Sequence, residues 1–420
     1  FQLFRVRAHP GPPFINDRVN MTSAIMILGA GIYQTPLIRT AKAMGLRTIV
    51  ASTPGEYPGI QEADLFLPID TTDQIAIRSA AHEHGIRAIV TTGTDVSVPS
   101  MGLVNDSLRL SGVSHQAAVH CADKTLMKDT LRANNINTAD YLYTDNANDG
   151  LDFAKSIGFP VIIKPIDSSG SRGVTRVCTA NEFGPAWNNA IAVSRANTIL
   201  VEEYLTGTEF GAQAFVLGNQ MQRLFVHSDT VTPPPVSTPI GHAMPYRLSA
   251  AETEKLEMMT HAAVDALGIC DSICNVDYML VDSEPYILEI AARMGATCIP
   301  ENISTYAGFD TYEYLLSLVM GDKPSLPPLD KMPCQANAAL LMRSCKTGVV
   351  REIIAPESLK KRDDIVSIHI DIKPGQSVKR FSVGPDRIGH VVVKHRSAEE
   401  AKLACVDICE SIDFVIDENQ

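Results

Sequence analysis

Residues 24–91 alternate short β-branched runs with apolar-faced helical stretches, and that order constrains the fold more than any other part of the chain. Residues 25–28 have the length and composition of a buried strand, Gly29-Ala30-Gly31 makes a tight turn, and Thr35-Pro36 supply an N-cap and first helical residue ahead of Leu37, Ile38, Ala41 and Met44. Strand-like runs at 47–51, 65–69 and 87–91, with a helical stretch at 74–84, continue the pattern. Strands joined through helices run parallel, so residues 21–115 read as a Rossmann-like domain. Gln34 stands where a dinucleotide fingerprint has its third glycine, and the second strand ends in Val50-Ala51-Ser52 without an acid to hold a ribose. A nicotinamide or flavin site is therefore not expected.

The 420 residues allow several domains and a large buried core. A net charge of -12 with no basic stripe argues against nucleic-acid binding. No apolar run approaches the ~20 residues of a membrane span. Nine scattered cysteines, odd in number and without a CxxC pair, fit reduced thiols in a cytoplasmic protein better than zinc or a disulfide framework. Residues 1–20, with Pro10, Pro12 and Pro13 ahead of Met21, read as a leader or an added arm.

The chemistry-bearing residues lie in 116–330. The stretch 159–174, FPVIIKPIDSSGSRGV, places Lys164 at the end of a β-branched run and before a loop holding Gly170 and Gly173. Backbone N–H groups freed by glycines beside an ammonium make an anion cradle. Upstream, Lys124 starts a helical segment with Leu126, Met127, Thr130 and Leu131 on one side. A strand at 198–201 runs into Glu202-Glu203-Tyr204-Leu205, and Glu209 follows Gly207. Residues 233–245 are proline-rich and read as an irregular covering loop. Ser249-x-x-Glu252 is a capping box for a helix bearing Leu256, Met259, Ala263 and Leu267. Strands at 275–281 and 286–290 form a hairpin turning at 282–285, which brings Asp277 and Glu289 near one another. Facing carboxylates are costly without a cation between them, and a hard divalent ion is the natural candidate. After a linker at 324–332, further strands and a helix capped by Ser397-x-x-Glu400, bearing Leu403, Val406 and Cys409, make a small α+β domain over 331–420.

Taken in order, these pieces resemble the ATP-grasp superfamily over residues 24–420. The KPG turn and GPDRIGHVVV segment are similar to the C-terminal domain of its L-amino-acid ligase and carboxylate-amine ligase branch. The resemblance implies a multidomain α/β and α+β protein. An N-terminal Rossmann-like (pre-ATP-grasp) domain would be followed by an ATP-grasp fold over 116–330, with a lid subdomain at about 124–202, and by the C-terminal α+β domain. It further implies ATP and Mg2+ (or Mn2+) as cofactors. Lys124 and Lys164 would contact phosphates, and Ser168, Ser169, Gly170, Ser171 and Gly173 would form the lid loop. Glu202, Glu203, Tyr204 and Leu205 would surround adenine, and Glu209 would bind ribose. Asp277 and Glu289 would hold metal, and Arg293 in EIAARMG would act with Lys164 on the reacting carboxylate and phosphoryl group. GHAMPYRLS is similar to a loop over the substrate in that branch, which marks His242, and Gly295 lies in the adjoining substrate segment. Ala291 departs from the pattern, since many members carry Asn there.

The implied activity is ATP-dependent joining of a small-molecule carboxylate, activated as an acylphosphate, to an amine, with an amino acid among the substrates and a homodimer as the family expectation. Two alternatives stay open: a biotin-carboxylase-like or purine-pathway enzyme of the same superfamily, and a nucleotide-binding regulatory protein with a decayed site, which Ala291 keeps in view.

Overall fold

The computed structural model describes residues 4–5, 23–167, 173–233 and 238–418. The first sheet is parallel, with strand order Leu65–Leu67, Arg47–Ala51, Ala24–Leu28, Ala88–Val90. Every residue of Ala24–Leu28 is buried, as a parallel strand covered on both faces requires. Gln34 fills the turn after it: its side-chain oxygen accepts from the Gly31 N–H at 3.0 Å, and its amide donates to the Thr92 carbonyl. A side chain thus uses an N–H that a dinucleotide phosphate would need.

A separate antiparallel sheet runs in the order Tyr141–Thr144, Ile199–Glu203, Val161–Pro165, Thr175–Val177. It covers its own small core, where Phe183 and Trp187 stack at 5.9 Å. The largest sheet carries the strands labelled here β1 (Thr208–Leu217), β2 (Gln220–Val231), β3 (Pro239–Met244), β4 (Ser272–Val281), β5 (Glu284–Ala291) and β6 (Asn337–Met342). Its order is Phe4–Arg5, Ile365–Ile370, Gly389–Lys394, β6, β3, β2, β1, β4, β5, so strands from the 331–420 region extend the sheet that begins with β1. The exposed edge of β5 is covered by the segment after the lysine-bearing helix. Ile287 N–H donates to the Asn137 carbonyl, and the Thr138 hydroxyl donates to the Ile287 carbonyl, both at 2.9 Å.

Several expectations are corrected. Pro239–Met244 is a strand rather than irregular loop, because β2 and β6 hydrogen-bond it on both edges. Its proline sits at the first strand position, where a missing N–H is tolerated. Phe4–Arg5, within the stretch read as a leader or added arm, forms a short strand that pairs with Ile368 and Ser367. The helix Lys124–Ala133 buries Lys124, Met127, Lys128 and Leu131 and leaves Leu126 exposed, so its inner face carries two lysines rather than the full apolar stripe. In the last helix, Ala398–Ser411, the buried residues are Ala401, Cys405 and Ile408, while Leu403 is 71% exposed and Val406 is also exposed. The capping box at Ser249 and Glu252 forms, with both reciprocal bonds present. No helix among the described residues is long and apolar enough to cross a membrane.

Candidate active site

Residues directly opposite in an antiparallel ladder share a sheet face. Asp277 on β4 stands opposite Glu289 on β5 and opposite Gly211 on β1, and Gly211 stands opposite His227 on β2. Farther along β2, Asp229 stands opposite His242 on β3. A polar row therefore crosses one face of the sheet from His242 to Glu289. Its midpoint is a glycine because a Cβ at 211 would come within 2.3 Å of the His227 ring. We expect Gly211→Ala to force the imidazole out of place and to destabilise the protein by about 1–3 kcal/mol, as overpacking typically does; an unfolding midpoint in urea checks this.

Lysines face this row from two other elements. Lys124 Nζ lies 3.0 Å from Glu289 Oε1. Lys164, on Val161–Pro165, lies 2.5 Å from Glu202 Oε2, and the other Glu202 oxygen is paired with the fully buried Lys128. Burial alone would raise the Glu202 carboxyl, but Lys128 and Lys164 outweigh it and hold the pKa at about 2. One carboxylate serves two ammoniums, so Lys128 shifts the other way: burial and the repulsion of Lys164 lower it despite Glu202. At Glu289, burial is outweighed by Lys124 and Lys164, and the carboxyl is lowered.

At Asp277 the nearby Arg293 does not outweigh the opposing effects. Burial, followed by the charges of Asp229, Glu289 and Glu209, pushes its carboxyl up to about 8. An oxygen-lined cluster that resists its own ionisation fits a hard divalent cation, which would relieve that repulsion. Asn275 donates to Asp277 Oδ1 at 3.0 Å and stands opposite Ala291, so a neighbouring strand brings an amide to the region where the sequence pattern lacks one. The Asn275 oxygen in turn accepts from Gln213 at 2.6 Å, and Gln213 Oε1 accepts from the Gly295 N–H at 2.8 Å. This chain of bonds links the acid to the segment at Gly295. A Cβ at Gly295 would crowd Asn275 Oδ1 at 2.8 Å and Gln213 Nε2 at 2.9 Å.

Arg293 is oriented by the Rossmann-like region. Asp95 Oδ1 accepts from its Nε at 2.7 Å and lies 2.7 Å from Nη2. The two regions meet nearby at a Thr92–Met294 bridge. Of the residues proposed around adenine, Glu202 turns its carboxylate to the lysines. The Glu203 N–H donates to the Asp140 carbonyl at 2.8 Å, the Tyr204 ring carries the Arg176 guanidinium at 4.1 Å, and Leu205 is buried. Glu209 sits exposed at the rim, where partial desolvation and Asp229 raise its pKa. Gly173 adopts a φ of +77°, a conformation other residues rarely take. Ser168, Ser169, Gly170 and Ser171 lie outside the described residues.

Sequence reasoning missed Lys128, Asp95, Gln213, His227 and Asp229. The i, i+4 spacing of Lys124 and Lys128, and the i, i+2 spacing of His227 and Asp229, were available signals. The partners that give them meaning are far away in sequence.

Comparison with known proteins agrees with this architecture. Residues 157–301 match the ATP-grasp domain family, and residues 341–417 match the L-amino acid ligase C-terminal domain 2 family. The formate-dependent phosphoribosylglycinamide formyltransferase of Synechococcus sp. (strain CC9902) is 24% identical over 407 residues, covering 92% of this chain and 97% of that protein. The structure of a phosphoribosylglycinamide synthetase from Anaerococcus prevotii superposes with a TM-score of 0.80 at 27% identity, covering 94% of this chain and 100% of that one. That of an L-amino acid ligase from Bacillus licheniformis gives a TM-score of 0.77 at 16% identity, covering 94% and 99%. With its lysines and acids gathered on one sheet, the chain has the ATP-grasp fold, carrying an ATP-grasp domain at 157–301 and an L-amino acid ligase C-terminal domain 2 at 341–417.

Proposed function

We propose that the protein uses ATP and Mg2+ to convert a substrate carboxylate into an acylphosphate, which an amine then captures as an amide. The observation that carries this reading is the convergence of Lys124, Lys164 and Arg293 on the Asp277–Glu289 pair. A carboxylate is a poor electrophile because its charge is delocalised, and phosphorylation supplies a leaving group. Such a transfer needs positioning and charge neutralisation more than covalent help from the protein. Lys124 and Lys164 would neutralise phosphate oxygens, and Arg293, fixed by Asp95, would hold the reacting carboxylate. Asp277 and Glu289 would hold Mg2+, which neutralises phosphate charge when bound.

Two substrate readings each have support. The relatives matched along the whole chain favour the purine-pathway alternative, in which a small carboxylate such as formate is joined to a phosphoribosyl-bearing amine. Amino-acid ligation is favoured by the C-terminal domain and by Gln34, whose side chain takes up an N–H of the glycine turn that a substrate phosphate could otherwise use. The test is phosphate release from Mg-ATP with formate plus phosphoribosylglycinamide against a panel of L-amino acids, with mass spectrometry of the products. The ligase reading expects acceptor-stimulated release and an amide product. ATP binding without stimulated release by any pair would overturn it in favour of a regulatory protein.

A further inference from the structure

We propose that His227 and His242, backed by Asp229, form the site that takes the proton from the attacking amine, a role that rests on the ligase reading above. Asp229 Oδ1 lies 2.8 Å from His227 Nδ1 and 2.6 Å from His242 Nδ1. Burial alone would raise the Asp229 carboxyl, but the two imidazoles outweigh it and hold it far below the usual range. It is therefore a carboxylate, which can only accept hydrogen bonds. Each Nδ1 accordingly carries a proton, and in the neutral form of either ring it is Nε2 that holds the lone pair. Both Nε2 atoms are buried and have no hydrogen-bond partner among the described residues. Buried polar atoms are rarely left so unless a ligand or water completes them. Burial, against the pull of Asp229, also lowers the pKa of His242, which keeps it neutral and able to accept.

The location fits the role. Asp229 and His242 lie in the row that ends at Asp277 and Glu289, and Asp229 is the charge that acts most strongly on Asp277. Gly211 makes room for the His227 ring between them. The three side chains could also be read as metal ligands, their donor atoms lying within 4.8 Å of one another. The ligands of a tetrahedral zinc stand about 3.3 Å apart, given bonds of ~2.0 Å. The 2.6 and 2.8 Å separations here are those of hydrogen bonds instead.

The substrate amine arrives as an ammonium, which has no lone pair for attack. It gives one proton to an imidazole Nε2. The freed nitrogen forms the C–N bond to the acyl carbon while the C–O bond to phosphate breaks, and that electron pair leaves with the phosphate. The second N–H proton goes to the departing phosphate, and the imidazolium releases its proton to solvent. His227 and His242 are the catalytic groups, and Asp229 is a positioning residue that fixes their tautomer.

The test compares two nucleophiles in wild type and in the His227→Gln, His242→Gln and Asp229→Asn variants, with formate, L-alanine and L-methionine as carboxylates. L-alanine attacks through an ammonium that must lose a proton, whereas hydroxylamine is already unprotonated at neutral pH. General-base assistance is worth about 10²–10⁴-fold. The ratio of L-alanine amide to hydroxamate is expected to fall at least ~10-fold in Asp229→Asn and in at least one histidine variant. A purely structural role would lower both products together, and a ratio unchanged in both histidine variants overturns the proposal. So does stoichiometric zinc in the purified wild-type protein. Absence of hydroxamate from wild type with every carboxylate removes the ligase reading itself, a result distinct from either.

Discussion

Replacing Glu289 with glutamine is expected to lower ATP-dependent phosphate release by about 10²–10³-fold while leaving the fold intact. The change keeps the side chain's size and its place opposite Asp277 but removes the charge that pairs with Lys124 at 3.0 Å. Loss of one preorganised charge at a phosphoryl-transfer site typically costs ~3–4 kcal/mol in the transition state. Lys164→Ala is expected to fall as far, and Glu202 then still has Lys128 as its partner. Steady-state phosphate release and a thermal unfolding scan on the same samples separate lost chemistry from lost structure. Turnover within tenfold of wild type in either variant would refute the assignment of these charges to the reaction.

A different loss is expected at Glu202. Glutamine there leaves Lys128, with no exposed side-chain surface, and Lys164, 14% exposed, facing each other without their shared counter-ion. Removing one partner from a buried ion pair typically costs ~3–5 kcal/mol, mostly from the charge left behind. A urea midpoint at neutral pH should therefore drop sharply. The pH dependence has a definite sign. The folded-state pKa of Glu202 is held down at about 2, below the ~4.3 of an unfolded glutamate. Its stabilisation is thus fully present above about pH 4.3 and lost as pH falls toward 2. The stability difference between wild type and Glu202→Gln should shrink over that interval. A difference that persists unchanged at pH 2 would show that the carboxylate's charge is not what stabilises the site.

These two expectations depend on features of unequal legibility. The hairpin that brings Asp277 near Glu289 was legible from its turn, but a uniform register would set Leu288 opposite Asp277, and only the irregularity between Asp277 and Tyr278 puts Glu289 there. The helix cap at Ser249 is local too. Lys128 looks like an ordinary surface lysine in sequence, and only the strand Ile199–Glu203, some seventy residues on, explains its burial. Asp95 and Arg293 are joined by the docking of two regions, and neither neighbourhood encodes that contact. Pro239–Met244 was obscured by Pro239 and the prolines flanking it, and it is a strand because pairing on both edges overrides weak local propensity. The exposed Leu403 and Val406 show the converse: apolar spacing alone does not say which helix face meets a sheet.

The segment at 137–138 that covers β5 has a consequence for solubility. An uncovered outer strand offers its free N–H and C=O groups to strands of other chains, a route to aggregation. Here the cover is joined directly to the helix that supplies Lys124 and Lys128, and Lys128 Nζ donates to the same Thr138 hydroxyl at 2.7 Å. Substitutions that loosen this segment would therefore disturb Lys124 and Lys128 and unmask a sticky edge together, so resistance to aggregation and the placement of these two lysines depend on the same few residues.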